Sequence, residues 1–209
     1  MRVLGIDEAG RGCVLGPLVV AGFLTEDMEE ARLRDAGAGD SKAMSAKKRV
    51  LAREALGALG TPDVHQIDAR QIDAGNLNSL EEKAIVALVR THRPDLVRMD
   101  ALGPPSGIPK LEARLRTLVG PEYSCDWVIA PKADATYAEV GAASIFAKTT
   151  RDETLEALKE TWGILGSGYP SDPKTRAWLT RWHASGEPWP PFVRTRWGTI
   201  RDLAQQSLL

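Results

Sequence analysis

Hydrophobic residues occur in short runs separated by polar segments, and their spacing predicts the secondary structure of the chain. The runs at Arg2–Ile6 and Val14–Leu24 predict two strands, and the glycine-rich segment Asp7–Gly12 between them predicts a turn. Later apolar runs predict further strands at Asp63–Ile67, Asp95–Asp100 and Cys125–Ala130.

Between the strands, apolar residues recur at the spacing of one helix face. The segment Ser79–Thr91 also has an N-cap candidate and two early glutamates. Helices are predicted at Ala46–Leu59, Ser79–Thr91, Lys110–Leu118 and Ala142–Trp162, with helical segments around Thr175–Ala184 and Arg196–Gln205. Strands separated by helices are typical of an α/β fold.

The pattern changes after Gly163, where turn-forming residues become dense. GSGYPSDPKT (Gly166–Thr175) predicts a loop, and EPWPPF (Glu187–Phe192) predicts a second break. We expect a main domain over residues 1–168 and a helical extension over residues 169–209, packed together as one functional unit.

Composition narrows the classes of protein. The chain has 209 residues and is 43% hydrophobic, which suits one domain with a sizeable core. A net charge of -1 requires any phosphate-binding surface to be local.

Two distant cysteines, Cys13 and Cys125, exclude a disulfide scaffold and argue against zinc. Acids near the N-terminus and the lack of a long apolar run predict a cytoplasmic location.

Four acids at the ends of predicted elements are candidate metal ligands. They are Asp7 and Glu8 after the first apolar strand, Asp100 at the end of a later strand, and Asp134 before the long helix. Carboxylates suit Mg²⁺ and Mn²⁺, and clustered carboxylates repel one another without a cation. A single strand-end aspartate is more often a loop or cap residue. Neighbours on a strand face opposite sides, so Asp7 and Glu8 converge only if the strand ends between them or Glu8 reaches around.

Two phosphate-binding motifs are excluded. The apolar residues before Asp7-Glu8 suggest a Walker B segment, but the chain has no GxxxxGK[ST] motif. The run Gly10–Gly16 has one residue too many for a dinucleotide fingerprint, and a strand with proline follows it instead of a helix.

Taken together, the motifs resemble the ribonuclease HII family, in family order and over almost the whole chain. GIDEAGRG (Gly5–Gly12) with VLGPLVVAG resembles the opening block, and the last block is typical of the archaeal and eukaryotic branch. The remaining blocks are DSK (Asp40–Lys42), NLNSLE (Asn76–Glu81), KADATYAEVGAASIFAKTTRD (Lys132–Asp152), GSGYPSDPKT (Gly166–Thr175) and PPFVRTRW (Pro190–Trp197).

The resemblance implies a ribonuclease H-like fold, with a central mixed sheet flanked by helices and a small C-terminal helical extension. It implies that Asp7, Glu8, Asp100 and Asp134 hold Mg²⁺ or Mn²⁺, with two ions in the reacting complex. Asp95 is the alternative to Asp100, because ALGPP after Asp100 departs from the usual family sequence.

The implied activity is endonucleolytic hydrolysis 5′ to a ribonucleotide, leaving 3′-hydroxyl and 5′-phosphate ends. The implied substrates are RNA/DNA hybrids and duplex DNA with embedded ribonucleotides, as in ribonucleotide excision during DNA replication and repair. A monomer is expected, and the sequence leaves contact with a sliding clamp open. The alternatives are a hybrid-binding module that does not cut and an exonuclease or nucleotidyl transferase of the same fold.

The resemblance also implies which residues contact substrate. Gly10, Arg11 and Gly12 read the ribose 2′-hydroxyl through backbone groups, and Tyr169 stacks on the neighbouring sugar. Phosphate contacts are implied for Ser41, Lys42, Ser144 and Lys148. Taken without the family, the glycines are turn residues and Tyr169 is a loop anchor.

The C-terminal stretch adds an electrostatic argument of its own. Its basic residues are Lys174, Arg176, Arg181, Arg194, Arg196 and Arg201, against the single acid Glu187. This stretch could bind a duplex backbone, while its tryptophans are more typical of a core. Two residues depart from the family: Cys13 replaces a usual proline, and Gly141 replaces a common serine.

Overall fold

Five strands form one mixed sheet with the order β3-β2-β1-β4-β5. The computed structural model describes residues 1–26, 30–39, 41, 44–163 and 165–206. The strands are β1 (Arg2–Ala9), β2 (Leu18–Glu26), β3 (Thr61–Ile67), β4 (Leu96–Asp100) and β5 (Asp126–Ala130).

Strands β1, β4 and β5 run parallel. Ile6 of β1 pairs with Met99 of β4, and Asp100 pairs with Ala130 of β5. The carboxyl ends of these strands therefore share one edge of the sheet, where ligand sites of α/β proteins usually form. Asp95 lies at the opposite edge, because its carboxylate accepts a hydrogen bond from the Arg2 amide at 2.7 Å.

Nine helices are found in the described part of the chain. Ser45 caps α2, and Asp68 and Gln71 form a capping box at α3. The helices are α1 (Glu30–Asp35), α2 (Ala46–Gly57), α3 (Ala69–Ala74), α4 (Leu77–His92), α5 (Ile108–Val119), α6 (Ala133–Thr136), α7 (Ala138–Trp162), α8 (Pro173–Ser185) and α9 (Gly198–Gln206).

The predicted α/β fold and its long elements are confirmed, whereas several boundaries differ. Strand β1 continues to Ala9, so the turn predicted from Asp7 begins only at Gly10. Strand β2 begins at Leu18 rather than Val14, because Leu15 instead forms an isolated antiparallel bridge with Val193.

The chain divides into two compact units. Unit 1 comprises residues 1–9, 20–65 and 81–149, and unit 2 comprises residues 10–19, 66–80 and 150–209. The domain division expected from composition, 1–168 and 169–209, stays a prediction.

The core of unit 1 contains the apolar side chains of the sheet, such as Leu4 and Phe23. Helix α7 begins tightly against β1, since a Cβ at Gly5 would collide with the backbone of Glu139 and Val140. This close approach positions the first turns of α7 next to the strand that carries the first two acids.

The core of unit 2 is rich in aromatic residues. Trp178 stacks on Trp182 with ring centroids 5.3 Å apart, and both pack in a cluster with Phe192 and Leu179. The tryptophans of the basic stretch are therefore core or partly buried residues, as their type predicted. In the part of the chain that the structure describes, no helix is long and apolar enough to cross a membrane.

Candidate functional site

The first two acids, Asp7 and Glu8, are consecutive on β1 and directly precede its last residue, Ala9. The Asp7 side chain is buried, with 7% of its surface exposed, and Glu8 is half-buried. Burial, followed by the charge of Glu8 and then that of Asp134, raises the pKa of Asp7 to about 8, while a hydrogen bond from Ser144 opposes the shift. Glu8 therefore interacts strongly with Asp7 although the strand does not end between them.

Asp134 lies just before the long helix α7, as predicted, and belongs to the short helix α6. It is buried, and its Oδ1 accepts a hydrogen bond from the Ala135 amide at 3.0 Å. Arg34 of α1 donates to the Thr136 carbonyl at 2.8 Å, which fixes the end of α6. The charge of Asp134 acts on Asp7, so the two buried acids belong to one electrostatic cluster.

Asp100 ends β4 and is tied to the segment that leads into α6. Its Oδ1 accepts hydrogen bonds from the amides of Ala101 at 2.8 Å and Lys132 at 2.9 Å. Lys132 reaches this position with a left-handed backbone, φ 56°. Asp100 therefore lies at the same sheet edge as Asp7, whereas Asp95 lies at the opposite edge. This placement favours Asp100 over Asp95 as the third candidate ligand.

These acids form a donor set made only of oxygen, which suits a hard divalent cation. Among the described residues, no group of three or more His, Cys, Asp or Glu side chains is arranged to hold a metal ion. The acids thus share one sheet edge without closing a coordination shell. The raised pKa of Asp7 is consistent with a cation-binding site, because a positive charge bound there would offset the repulsion from Glu8 and Asp134.

Two of the four predicted phosphate ligands are buried beside Asp7. The hydroxyls of Ser41 and Ser144 lie 2.8 Å apart, and Ser144 also hydrogen-bonds Asp7. A phosphate contact by either serine would need these bonds to exchange. Lys148 lies one helical turn after Ser144 and is half-buried, and Lys42 lies outside the described residues.

Gly141 has a structural role that the sequence did not reveal. A Cβ at this position would lie 2.6 Å from the Gly39 amide nitrogen and 2.9 Å from the Asp134 carbonyl oxygen. Backbone on both sides leaves no room for a side chain. The glycine that replaces the family's common serine thus lets α7 approach the segment carrying Asp134.

In unit 2, the Gly10–Gly12 turn lies next to Tyr169. Gly10 has φ 86°, which favours glycine, and a Cβ at Gly12 would lie 4.0 Å from the Tyr169 ring. The Arg11 side chain donates to Asn78 at 2.5 Å. Unit 2 therefore brings together the turn and the tyrosine that were predicted to read the sugar.

Tyr169 is 38% exposed, and its ring lies beneath a buried arginine. The Arg151 guanidinium is 5.1 Å from the ring centroid and donates to the Cys13 sulfur at 2.9 Å. Burial, followed by the influence of Cys13, raises the pKa of Tyr169 to about 12. The hydroxyl is thus protonated at neutral pH, and it hydrogen-bonds Cys13.

One member of the basic stretch was assigned wrongly. Arg194 is fully buried, so it cannot contact a duplex backbone as its neighbours can. The other five basic residues of the stretch are exposed. A single arginine carries no signal of burial in the sequence. The burial of Arg194, and likewise that of Arg151, was therefore not predicted.

Comparison with known proteins gives a consistent result. The sequence pattern of the ribonuclease HII family matches residues 4–200. A ribonuclease HII of Thermofilum pendens is 40% identical, over 97% of this chain and 99% of that protein.

Solved structures show the same similarity. The ribonuclease H2 of Pyrococcus horikoshii OT3 matches with a TM-score of 0.89 and 35% identity, covering 99% of this chain and 98% of that one. The ribonuclease HII of Archaeoglobus fulgidus, solved in complex with PCNA, matches with a TM-score of 0.84 and 37% identity, over 94% and 95% of the two chains. A Bst ribonuclease HIII in complex with Mn²⁺, at 20% identity and a TM-score of 0.78 over 99% and 70% of the chains, shares the fold.

Proposed function

The chain belongs to the ribonuclease HII family of hydrolytic endonucleases, and from this premise we propose that it cuts duplexes on the 5′ side of a ribonucleotide. The proposed products carry a 3′-hydroxyl and a 5′-phosphate. The proposed substrates are RNA/DNA hybrids and DNA duplexes with embedded ribonucleotides. The observation that carries the proposal is the acid cluster at the carboxyl edge, where Glu8 and Asp134 act on buried Asp7.

The proposed cofactor is Mg²⁺ or Mn²⁺, with two ions in the reacting complex, held by Asp7, Glu8, Asp100 and Asp134. When bound, such ions supply Lewis acids for the attacking water and the leaving oxygen. The chain's own contribution is the fixed position of the carboxylates. Ser144 orients Asp7, and the amides of Ala101 and Lys132 orient Asp100.

The proposed sugar recognition uses groups of unit 2. The 2′-hydroxyl is the chemical difference by which a protein distinguishes RNA from DNA at one position. Backbone amides of the Gly10–Gly12 turn can approach it closely, because glycine leaves the backbone uncovered. Tyr169 adds a ring for stacking on the sugar and a protonated hydroxyl.

Phosphate contacts are proposed for Lys148 and, among the residues outside the described ranges, for Lys42. Ser41 and Ser144 can take part only by exchanging the hydrogen bonds described above. These contacts would position the duplex without reading its sequence.

Cleavage of a labelled DNA duplex with one internal ribonucleotide tests the proposal. We expect a single cut 5′ to that ribonucleotide in Mg²⁺ or Mn²⁺, and no cut in an all-DNA duplex of the same sequence. The variant Asp134→Asn is the matched control and should bind the duplex without cutting it. A cut at any other position, or equal cutting of the all-DNA duplex, would contradict the proposal.

The alternative is a hybrid-binding module that does not cut. It would follow from the loss of one acid, whereas Asp7, Glu8, Asp100 and Asp134 are all present. The same assay separates the two functions, because the module would bind the ribonucleotide-containing duplex and leave it intact at every metal concentration.

Contact with a sliding clamp stays a prediction for this chain. Its support is the Archaeoglobus fulgidus relative, which was solved with PCNA. Co-elution with a purified sliding clamp in size-exclusion chromatography would support the contact, and separate elution at micromolar concentrations would oppose it.

A further inference from the structure

Arg194 is fully buried in unit 2 and is bonded to the turn that is proposed to read the ribose. Its guanidinium donates to the carbonyl oxygens of Gly10 at 2.8 Å, Arg11 at 3.0 Å and Gly16 at 3.0 Å. Its backbone amide donates to Val14 at 2.9 Å. One side chain thus fixes two carbonyls of the turn and a third, that of Gly16, beyond it.

The guanidinium of Arg194 keeps its positive charge although it is buried. Burial lowers the pKa of Arg194 to about 10, which still leaves the guanidinium charged at neutral pH. The group also lies 5.0 Å from the centroid of the Trp197 ring. Burying a charged group carries a large desolvation penalty, so an apolar side chain would fill this space at lower cost. The guanidinium instead supplies several donors in a rigid planar fork, which neither an apolar side chain nor lysine can reproduce.

Fixing these carbonyls also fixes the amides that follow them. In a planar trans peptide, the C=O of one residue and the N–H of the next point in opposite directions. The carbonyls of Gly10 and Arg11 face Arg194, so the amides of Arg11 and Gly12 are directed away from it. Gly12 is exposed and lies beside Tyr169, which is where a sugar hydroxyl would be met.

We propose that Arg194 is a positioning residue for ribose discrimination, which holds the amides of Arg11 and Gly12 in the orientation that lets them donate hydrogen bonds to a 2′-hydroxyl. This inference rests on the proposed function of the Gly10–Gly12 turn. Arg194 does not touch the substrate. Its effect is exerted through the peptide planes of the turn, so it governs the preference for ribose over deoxyribose rather than general affinity for duplexes.

The test compares Arg194→Lys and Arg194→Gln with wild type. Arg194→Lys keeps the charge and loses the planar fork, and Arg194→Gln keeps one planar amide and loses the charge. Arg90→Lys is the matched control, because Arg90 also donates to two backbone carbonyls, those of Leu118 and Val119, but in unit 1. Thermal melting is measured for all variants, so that loss of folding is separated from loss of function.

Two functional quantities are then measured on duplexes with and without one ribonucleotide. These are the single-turnover cleavage rate in Mg²⁺ and the equilibrium affinity in Ca²⁺. We expect both Arg194 variants to cut the ribonucleotide duplex about 10- to 100-fold more slowly, the size of effect of one or two misdirected hydrogen bonds. Their affinity for all-DNA duplex should stay within about 2-fold of wild type. Arg90→Lys should show the wild-type cleavage rate on the ribonucleotide duplex and the wild-type affinity for both duplexes.

Each outcome decides one question. If wild type fails to cut at the ribonucleotide, the proposed function itself is wrong. If wild type cuts and a folded Arg194→Lys variant cuts equally well, the proposed function stands and the role of Arg194 is overturned. If affinity for both duplexes falls equally, or if neither variant folds, Arg194 is only a structural residue and the inference is also overturned.

Discussion

At the scale of single residues, Asp7 combines burial with negative neighbours. Burial of its carboxyl group inside unit 1, followed by the charges of Glu8 and Asp134, raises its pKa. Such a group destabilises a protein without metal and becomes favourable when a cation binds. The same side chain is therefore expected to weaken the metal-free fold and to be indispensable for cleavage.

The variant Asp7→Asn tests whether this side chain both weakens the metal-free fold and is required for cleavage. We expect cleavage to fall at least about 100-fold, because an amide cannot replace the carboxylate that would hold a cation. In EDTA, the melting temperature should rise by a few degrees, because the cost of burying this carboxyl group beside Glu8 and Asp134 is removed. Cleavage within a few-fold of wild type would contradict the assignment. A lower melting temperature in EDTA would show that the carboxylate is not under repulsion.

Tyr169 is the second residue whose role can be separated into parts. The residue is partly exposed, and its hydroxyl stays protonated. Tyr169→Ala removes both the ring and the hydroxyl and should slow single-turnover cleavage at one embedded ribonucleotide roughly 30- to 150-fold, equivalent to ~2–3 kcal/mol. Tyr169→Phe keeps the ring and should lose less. If Tyr169→Ala cuts at nearly the wild-type rate, the tyrosine is a loop anchor and the turn alone reads the ribose.

At the scale of elements, the start of α8 fixes the loop that carries Tyr169. Asp172 is the N-cap, and it accepts hydrogen bonds from the amides of Ser167 at 2.5 Å and Lys174 at 2.9 Å. Hydrogen bonds from Ser167 are the main reason that the pKa of Asp172 is lowered from 3.8 to about 2. One carboxylate thus joins the segment before Tyr169 to the helix after it.

The lowered pKa of Asp172 predicts the pH dependence of this cap. The folded state favours the ionised form, so its stabilisation is complete above pH 4 and is lost as the pH falls through about 2. Asp172→Ala should destabilise the protein by about 1 kcal/mol at pH 7. Urea unfolding from pH 5 to pH 2.5 should show this difference shrinking, while Asp172→Asn should retain part of the cap at every pH. A difference between wild type and Asp172→Ala that is constant over this range would contradict the role.

Long elements could be predicted from the sequence, whereas short helices and contacts between distant residues could not. Strand β1 was predictable because it is a short apolar run before a glycine-rich turn, and helix α4 because its apolar residues recur at helical spacing. Helices α3 and α6 span six and four residues, too few to show a period. The acids were found from their places after apolar strands, but the bond between Ser41 and Ser144, 103 residues apart, leaves no local signal.

At the scale of the whole molecule, the charge balance constrains how nucleic acid can be bound. The net charge is only -1, so the overall field does not attract a polyanion. Exposed cations must act locally, and five of them lie in the C-terminal stretch of unit 2, while half-buried Lys148 lies on α7 in unit 1. Each phosphate contact releases condensed counterions, which makes duplex affinity depend on salt in proportion to the number of contacts.

This dependence allows the phosphate contacts to be counted. Lys148→Ala and Lys42→Ala should each weaken binding to all-DNA and ribonucleotide-containing duplexes about equally, because phosphates carry no information about the sugar. Each should also reduce the slope of log affinity against log salt by about 1. Arg90→Lys keeps its charge in unit 1 and serves as the control. Affinities are measured in Ca²⁺ between 50 and 300 mM salt, on the order of the range in which such slopes are linear. If either alanine variant instead changed the preference for ribose and left the slope unchanged, that lysine would act on sugar recognition rather than on the duplex backbone.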